Sequence, residues 1–230
     1  MTVEFKKQAA LAAVELVQSG QIVGLGHGST VHYALEGLAE KLSSGQLKNV
    51  QGVPCSSETE RKASKLGIPL VDLNEVAQID ITIDGADEID PQFNLIKGGG
   101  GALLREKMVA EASTREVIVA DSSKLSPNLG SQFPLPVEVL PFGWIQQARF
   151  IDGLGGRASL RKHDNDEMVL SDQGNYLLDC DFGPIEDLSG LAQQLDARAG
   201  IIAHGLFLGL ATDVIIAGPD GIEYHRVARE

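Results

Sequence analysis

Residues 22–42 read IVGLGHGSTVHYALEGLAEKL, and this stretch decides the fold. A short apolar run, Ile22-Val23-Gly24-Leu25, meets a glycine-rich turn, Gly26-His27-Gly28-Ser29-Thr30. Val31, Ala34, Leu35, Leu38, Ala39 and Leu42 then recur at i, i+3, i+4, i+7, i+8 and i+11, which is the spacing of one helix face, and Gly45 ends the run. Strand, tight turn and amphipathic helix make a βα unit, and the alternation continues on both sides of it. Upstream, residues 5–18 predict a helix closed by Ser19-Gly20. Downstream, Leu47–Val53 predicts a strand, and Ser57-Glu58-Thr59-Glu60 has capping-box spacing and opens a helix that stops at Gly67. Ile68–Val71 and Ile79–Ile83 predict further strands, Ala102–Ala112 a helix, and Glu116–Ala120 a strand left through Asp121-Ser122-Ser123-Lys124. Helices alternating with strands predict an α/β fold with a mostly parallel sheet covered on both faces.

The pattern changes at Pro127. Prolines at 127, 134, 136 and 141 mark a linker and a new start. Residues 136–205 read strand, helix, two or three strands, helix, strand, with helices near Trp144–Leu154 and Asp187–Ala197 and a hairpin turn at Asp172-Gln173-Gly174-Asn175. That βαββαβ order predicts a small α+β domain. Leu206–Ile216 and Ile222–Val227, joined by Gly218-Pro219-Asp220-Gly221, read as strands that rejoin the first domain. The expected division is therefore residues 1–130 with 206–230 as the host, and 131–205 as an insertion.

Composition narrows the function. A chain of 230 residues with 43% apolar content can bury a full core. None of its apolar runs approaches the ~20 residues of a membrane span. The stretch MTVEFKKQAALAAVELV carries acids among its apolar residues and reads as a helix of the mature fold rather than a signal peptide. The formal net charge of −13 argues against nucleic acid and anionic membranes as partners, but a few lysines in one cleft still suit a small anion. Cys55 and Cys180 form no CxxC pair, which speaks against a disulfide scaffold or a cysteine-based zinc site and makes a cytoplasmic location the default.

Four loops carry chemistry, and loops at the carboxyl ends of parallel strands gather where open α/β folds bind ligands. In the Gly26–Thr30 turn, glycines let backbone amides approach an anion at a helix N-terminus, and Ser29 and Thr30 add hydroxyls. The turn lacks both the G-x-G-x-x-G spacing of dinucleotide sites and the lysine of a Walker loop. Asp84-Gly85-Ala86-Asp87-Glu88-Ile89-Asp90 puts four carboxylates in seven residues. It suits sugar hydroxyls, an oxygen-ligand metal site or a plain acidic loop. Lys97 precedes Gly98-Gly99-Gly100-Gly101, and the amides there, with the lysine, can hold a developing oxyanion. Glu106 falls in the first turns of the following helix, where a base is well placed. Lys6 and Lys124 can supply charge for a phosphate.

Taken together, GLGHGST, DGADEID, KGGGGALLREK, ADSSK and FPLPVEV resemble, in order and spacing, the type A ribose-5-phosphate isomerases, and the resemblance runs from Lys6 to Val227. It implies a Rossmann-like domain with an inserted ferredoxin-like domain. It also implies interconversion of ribose 5-phosphate and ribulose 5-phosphate without metal or organic cofactor, and a homodimer or dimer of dimers. Carried over by position, Glu106 is the base and Asp84 and Asp87 contact the sugar. Lys97 with Gly98, Gly99 and Gly100 binds substrate and stabilises the enediolate. Lys6, His27, Gly28, Ser29, Thr30, Gly85, Ala86 and Lys124 complete the substrate site. His27 stands where the family turn carries threonine, which leaves the backbone cradle and changes the side chain. The competing readings are another sugar-phosphate enzyme, such as an amino-sugar-phosphate isomerase or deaminase, and a non-catalytic sugar-phosphate sensor.

Overall fold

The structure is a computed structural model and describes residues 2–227. In chain order its elements are α1 (Thr2–Val14), β1 (Ile22–Leu25), α2 (Ser29–Ser43), β2 (Gln51–Pro54), α3 (Ser57–Lys65), β3 (Ile79–Asp84), β4 (Glu88–Ile89), β5 (Leu95–Ile96) and α4 (Leu103–Glu111). There follow β6 (Ser113–Asp121), β7 (Leu135–Val139), α5 (Trp144–Gly153), β8 (Arg157–Leu160), β9 (Tyr176–Asp181), α6 (Leu188–Asp196), β10 (Ile201–His204), β11 (Leu206–Phe207), β12 (Asp213–Gly218) and β13 (Gly221–Arg226). No helix among them is long and apolar enough to cross a membrane.

The chain divides into two compact units. The first runs through Ala86, then takes Arg105–Lys124 and the chain from Gly209 onward. Its six-stranded sheet has the order β2-β1-β3-β6-β12-β13, parallel throughout except for the terminal β12–β13 hairpin. The apolar residues explain the layering. Ile81 and Ile83 of β3 and Val117 and Val119 of β6 bury against Ala9, Ala13 and Val14 of α1 and Val31, Leu35 and Leu38 of α2. Ile79 packs instead with Val53, Cys55 and Val109 of α4, so helices lie on both faces. Gly24 lets β1 and β3 sit closely: a Cβ there would fall 1.8 Å from Thr82 Oγ1.

The second unit, Asp87–Leu104 with Leu125–Leu208, contains the whole 131–205 segment. Its four-stranded antiparallel sheet has the order β10-β7-β9-β8. Numbered along this βαββαβ segment the order is 4-1-3-2, the ferredoxin-like arrangement. Leu135, Val137 and Val139 of β7 bury with Leu178 and Cys180 of β9 beneath Ile151 of α5 and Leu191 and Leu195 of α6. Residues 87–104 join this unit through the three-stranded sheet β11-β5-β4 and through Glu88, whose carboxylate accepts the Gly130 and Gln132 amides at 2.8 and 3.1 Å.

The α/β class with its smaller α+β unit is as expected, and several local expectations need correction. The first helix spans Thr2–Val14 rather than 5–18. The strand expected over Leu47–Val53 starts only at Gln51. Helix α3 is capped by Ser56, not Ser57: extended Ser56 accepts the Thr59 amide at 3.0 Å. Ile68–Val71 is no strand, because Pro69 has no donor and only a single bridge, Leu70 to Gly52, forms. The long strand expected over Leu206–Ile216 is broken at Gly209, whose φ of +64° turns the chain, leaving β11 and β12.

Candidate active site

In the first unit, β1 leads out to β2 on one side while β3 lies on the other, so the strand order reverses between β1 and β3. The crevice outside the carboxyl ends of such strands is the ligand site of open α/β sheets. Asp84 is the last residue of β3 and is 1% exposed. Its Oδ1 accepts the His27 amide at 3.0 Å and the Gly85 amide at 2.7 Å. Gly26 makes that clasp possible, since a Cβ there would lie 2.2 Å from the same oxygen. The turn continues through Gly28, which has φ of 104° and precedes α2 with no side-chain cap. The first amides of α2, at Ser29 and Thr30, therefore stand at an uncapped positive helix end. Lys6 reaches it from α1, its Nζ donating to Ser29 Oγ at 3.1 Å. Lys124 ends the short turn Ser122–Lys124 that follows β6, the strand next to β3 on the same sheet. Glu106 sits in the first turn of α4 and is only 4% exposed.

In the second unit, Lys97 is 2% exposed, with its Nζ 5.5 Å from the centre of the Phe207 ring. The ring face attracts the ammonium at that place. Gly98 at φ +103° and Gly101 at φ +82° are buried anchors, while Gly99 and Gly100 are exposed. Asp87 Oδ2 accepts the Gly99 amide at 2.7 Å, and a Cβ at Gly99 would lie 2.7 Å from Asp87 Oδ1. Each of the first two aspartates of the acidic run is thus held by backbone amides next to a glycine with no room for a side chain.

The remaining acids of that run have partners of their own. Glu88 takes the amides of 130 and 132, and Asp90 Oδ1 takes those of Gln92 and Asn94, both at 2.8 Å. Among the described residues no group of three or more His, Cys, Asp or Glu side chains is arranged to hold a metal ion. The crowding in sequence comes from four separate local tasks.

His27 is placed differently from its neighbours in the turn. Its backbone belongs to the Asp84 clasp, whereas its ring, 12% exposed, lies with Nδ1 2.9 Å from Ser56 Oγ and Nε2 3.9 Å from Glu58. Thr59 Oγ1 donates to Gly26 O at 2.8 Å and accepts from Ser56 Oγ at 2.9 Å, so the single serine proton is used and His27 Nδ1 must be the donor to Ser56. The Lys62 hydrogen bond, aided by the His27 and Lys62 charges and opposed by burial, holds the Glu58 carboxyl below the usual range. Sequence reading missed Ser56 and Thr59 as supports of the turn. It also missed Arg161, whose Nη1 donates to Gly98 O at 2.9 Å and Gly99 O at 3.1 Å. No short-range pattern reveals a partner 63 residues away.

Within the first unit, a buried carboxylate at a helix start and an amide-held aspartate at the carboxyl end of a strand are groups of the kind that move protons and hold polar ligands on an α/β sheet. The family model described as ribose 5-phosphate isomerase A (phosphoriboisomerase A) matches residues 51–221, and the chain belongs to that family. A ribose-5-phosphate isomerase A from Chloroflexus aurantiacus is 56% identical over 219 residues, covering 95% of this chain and 92% of the relative. A solved D-ribose-5-phosphate isomerase in complex with phospho-erythronic acid matches with a TM-score of 0.96 at 34% identity, covering 98% of this chain and 99% of that one. The Plasmodium falciparum ribose 5-phosphate isomerase matches with a TM-score of 0.94 at 41% identity, covering 97% and 98%.

Proposed function

We propose that the protein interconverts D-ribose 5-phosphate and D-ribulose 5-phosphate through a cis-enediolate, within the non-oxidative branch of the pentose phosphate pathway. The observation that carries this reading is the 56% identity to a ribose-5-phosphate isomerase A over nearly the whole chain. Glu106 acts as the base. It removes the C2 proton of the open-chain aldose while the C2–H electrons form the C1–C2 double bond and the carbonyl pair moves to O1. Returning a proton to C1 while O1 gains and O2 loses one completes the ketose. Its burial supports this role, since a base shielded from bulk water can return a proton to carbon in many turnovers before that proton exchanges.

Lys97 and the Gly98 and Gly100 amides meet the charge that develops on the enediolate oxygens, while the Gly99 amide holds Asp87. Asp84 and Asp87 serve ring opening and proton movement between the oxygens, and Gly85 and Ala86 line the sugar. The uncapped start of α2, with Gly28, Ser29 and Thr30, receives the phosphate, Lys6 and Lys124 add charge, and the His27 amide shapes the turn through Asp84. The Lys6–Ser29 hydrogen bond supports that placement. Binding energy from the distant phosphate then orients the reacting carbons.

Both base and electrophile are protein groups in this mechanism, so it needs no metal, and turnover should persist in a chelator. We also take the protein to act in the cytoplasm as a homodimer or dimer of dimers; family resemblance supports the assembly, and sedimentation of the purified chain tests it. The test of the activity is incubation with ribose 5-phosphate and measurement of ketose. Steady ketose formation in excess EDTA supports the mechanism. No ketose with or without divalent ions overturns the substrate, and activity only with added ions overturns the metal-free chemistry.

A further inference from the structure

Arg161 follows strand β8 and is 13% exposed at its side chain. Its Nε donates to Asp179 Oδ2 at 2.9 Å, and its Nη2 pairs with Asp179 Oδ1. The main chain is fixed as well, with Arg161 N donating to Leu177 O at 2.8 Å. The aspartate therefore holds the planar guanidinium edge-on, and the remaining nitrogen, Nη1, donates to the carbonyls of both Gly98 and Gly99.

Those two carbonyls belong to consecutive peptide planes. In a trans peptide the C=O and the following N–H point in opposite directions. Drawing Gly98 O toward Arg161 turns the Gly99 amide away from it, and that amide meets Asp87 Oδ2 at 2.7 Å. Drawing Gly99 O to the same nitrogen turns the Gly100 amide outward too, and Gly100 is exposed. A run of glycines has many conformations to lose, so such a loop presents two aligned amides only if something selects one conformation. Gly98 and Gly101 sit at positive φ, and the guanidinium is the cation that ties the segment between them. A cation beneath the carbonyls also polarises both peptides, which makes their N–H groups stronger donors.

We propose that Arg161, oriented by Asp179, is a positioning residue for the reaction: it sets the Gly98–Gly100 loop so that the Gly99 amide fixes Asp87 and the Gly100 amide points at the enediolate oxygens. This rests on the reading of Lys97–Gly100 as the segment that meets the oxyanion. Arg161 does not touch substrate; it acts through the two carbonyls. Lysine at this position keeps the charge but cannot hold two carbonyls and a bidentate carboxylate in one plane.

The test compares Arg161→Lys and Asp179→Asn with the unmodified enzyme in three measurements: kcat and KM for ribose 5-phosphate, the inhibition constants of phospho-erythronic acid and inorganic phosphate, and the thermal midpoint. Phospho-erythronic acid carries a carboxylate in place of the reacting carbons, so it probes the amides, whereas phosphate probes only the other end. For Arg161→Lys the expected result is a fall in kcat of roughly 10²-fold, the size of losing one oxyanion donor. KM and phosphate inhibition should stay within about threefold, and phospho-erythronic acid binding should weaken by about the same factor as kcat. Asp179→Asn should move the same quantities in the same direction by less. If Arg161→Lys does not fold, the same split measured on Asp179→Asn decides. A folded Arg161→Lys with kcat within about twofold of the unmodified enzyme overturns the proposal. So does an equal weakening of phosphate and phospho-erythronic acid, which marks a general loss of structure. An unmodified enzyme that does not isomerise ribose 5-phosphate overturns the underlying reading instead, and the two failures are told apart by that control.

Discussion

Asp84 closes one strand of the six-stranded sheet and Asp213 opens another, and both are 1% exposed. Asp213 opens β12 at the amino end. Arg115 donates to it from β6 through Nε at 3.2 Å and Nη2 at 2.9 Å, Thr212 Oγ1 donates at 2.7 Å, and Tyr224 OH donates from β13. Side chains from β6, from β13 and from the residue before β12 thus converge on one carboxylate and tie the sheet edge together. Asp84 closes β3 at the carboxyl end and is held at one oxygen by backbone amides from two loops. Burial alone would raise the Asp213 pKa, but the hydrogen bonds from Arg115, Tyr224 and Thr212 outweigh it and hold the carboxyl below its ordinary value. Equal burial therefore serves two ends. A carboxylate neutralised by a cation and side-chain donors staples strands, while one held by loop amides organises a site whose chemistry is still to come.

The sharpest way to break this contrast is at the proposed base, Glu106. Glu106→Gln keeps the shape of the side chain and removes its proton-accepting charge. Its kcat should fall roughly 10²–10⁴-fold with KM changed little, about 3–5 kcal/mol of barrier. A kcat within about tenfold of the unmodified enzyme takes Glu106 out of the role, given the usual size of a base effect.

Next in size come the two lysines. Lys97→Ala should lower kcat by roughly 10²-fold, since it removes a cation from charge that develops only in the transition state. Lys124→Ala should act mainly on KM, because a phosphate carries its charge before and after reaction alike. Equal effects on kcat would contradict the division.

At Asp213 the expectation reverses. Asp213→Asn should cost about 1–3 kcal/mol of stability, because it leaves the buried Arg115 contacts poorly matched, and kcat should stay within about twofold. The pH dependence gives a finer check. A depressed carboxyl pKa contributes stability that is present above the unfolded value, near pH 3.9 for aspartate, and is lost as pH falls through the lower folded value. The unmodified protein should therefore lose stability more steeply than Asp213→Asn below about pH 4. Parallel acid limbs in denaturant titrations would show that Asp213 is not a staple.

The smallest effect concerns Tyr224. Its hydrogen bond to Asp213, with burial and the Asp213 charge, holds the phenol above its ordinary pKa. That contribution is full below about pH 10 and fades as pH rises through the folded value, so Tyr224→Phe should cost about 0.5–1.5 kcal/mol at neutral pH. An unchanged urea midpoint would assign the hydrogen bond no net weight.

The same contrast explains what could be read in advance. The βα unit at 22–42 was legible because α2 buries Val31, Ala34, Leu35 and Leu38 on one stripe, as the spacing predicts. The glycine turns were legible because Gly26 and Gly28 leave the side chain no alternative: one has a carboxylate where a Cβ would be, the other a positive φ. What escaped was set by single residues or distant partners. Pro69 cancelled one strand and Gly209 split another whose apolar patterns were sound, and β4, β5 and β11 have two residues each, too few to show an alternation. The ring of His27 turned to Ser56, and Arg161 came to Gly98, through contacts 29 and 63 residues apart in the chain. Motif spacing identifies where backbone must come close, whereas the side chains that hold it there are chosen by tertiary contact.

The central claim, that a protein carboxylate carries the substrate proton, is tested most directly by running the reaction in D2O with the unmodified enzyme. The ribose 5-phosphate and ribulose 5-phosphate pool is then analysed by mass spectrometry and proton NMR over many turnovers. Proton transfer through an enediolate predicts carbon-bound deuterium accumulating at C2 of the aldose and C1 of the ketose. It also predicts that Glu106→Gln slows this wash-in together with isomerisation. Full isomerisation with no carbon-bound deuterium, the signature of a direct hydride shift between C1 and C2, would contradict the account.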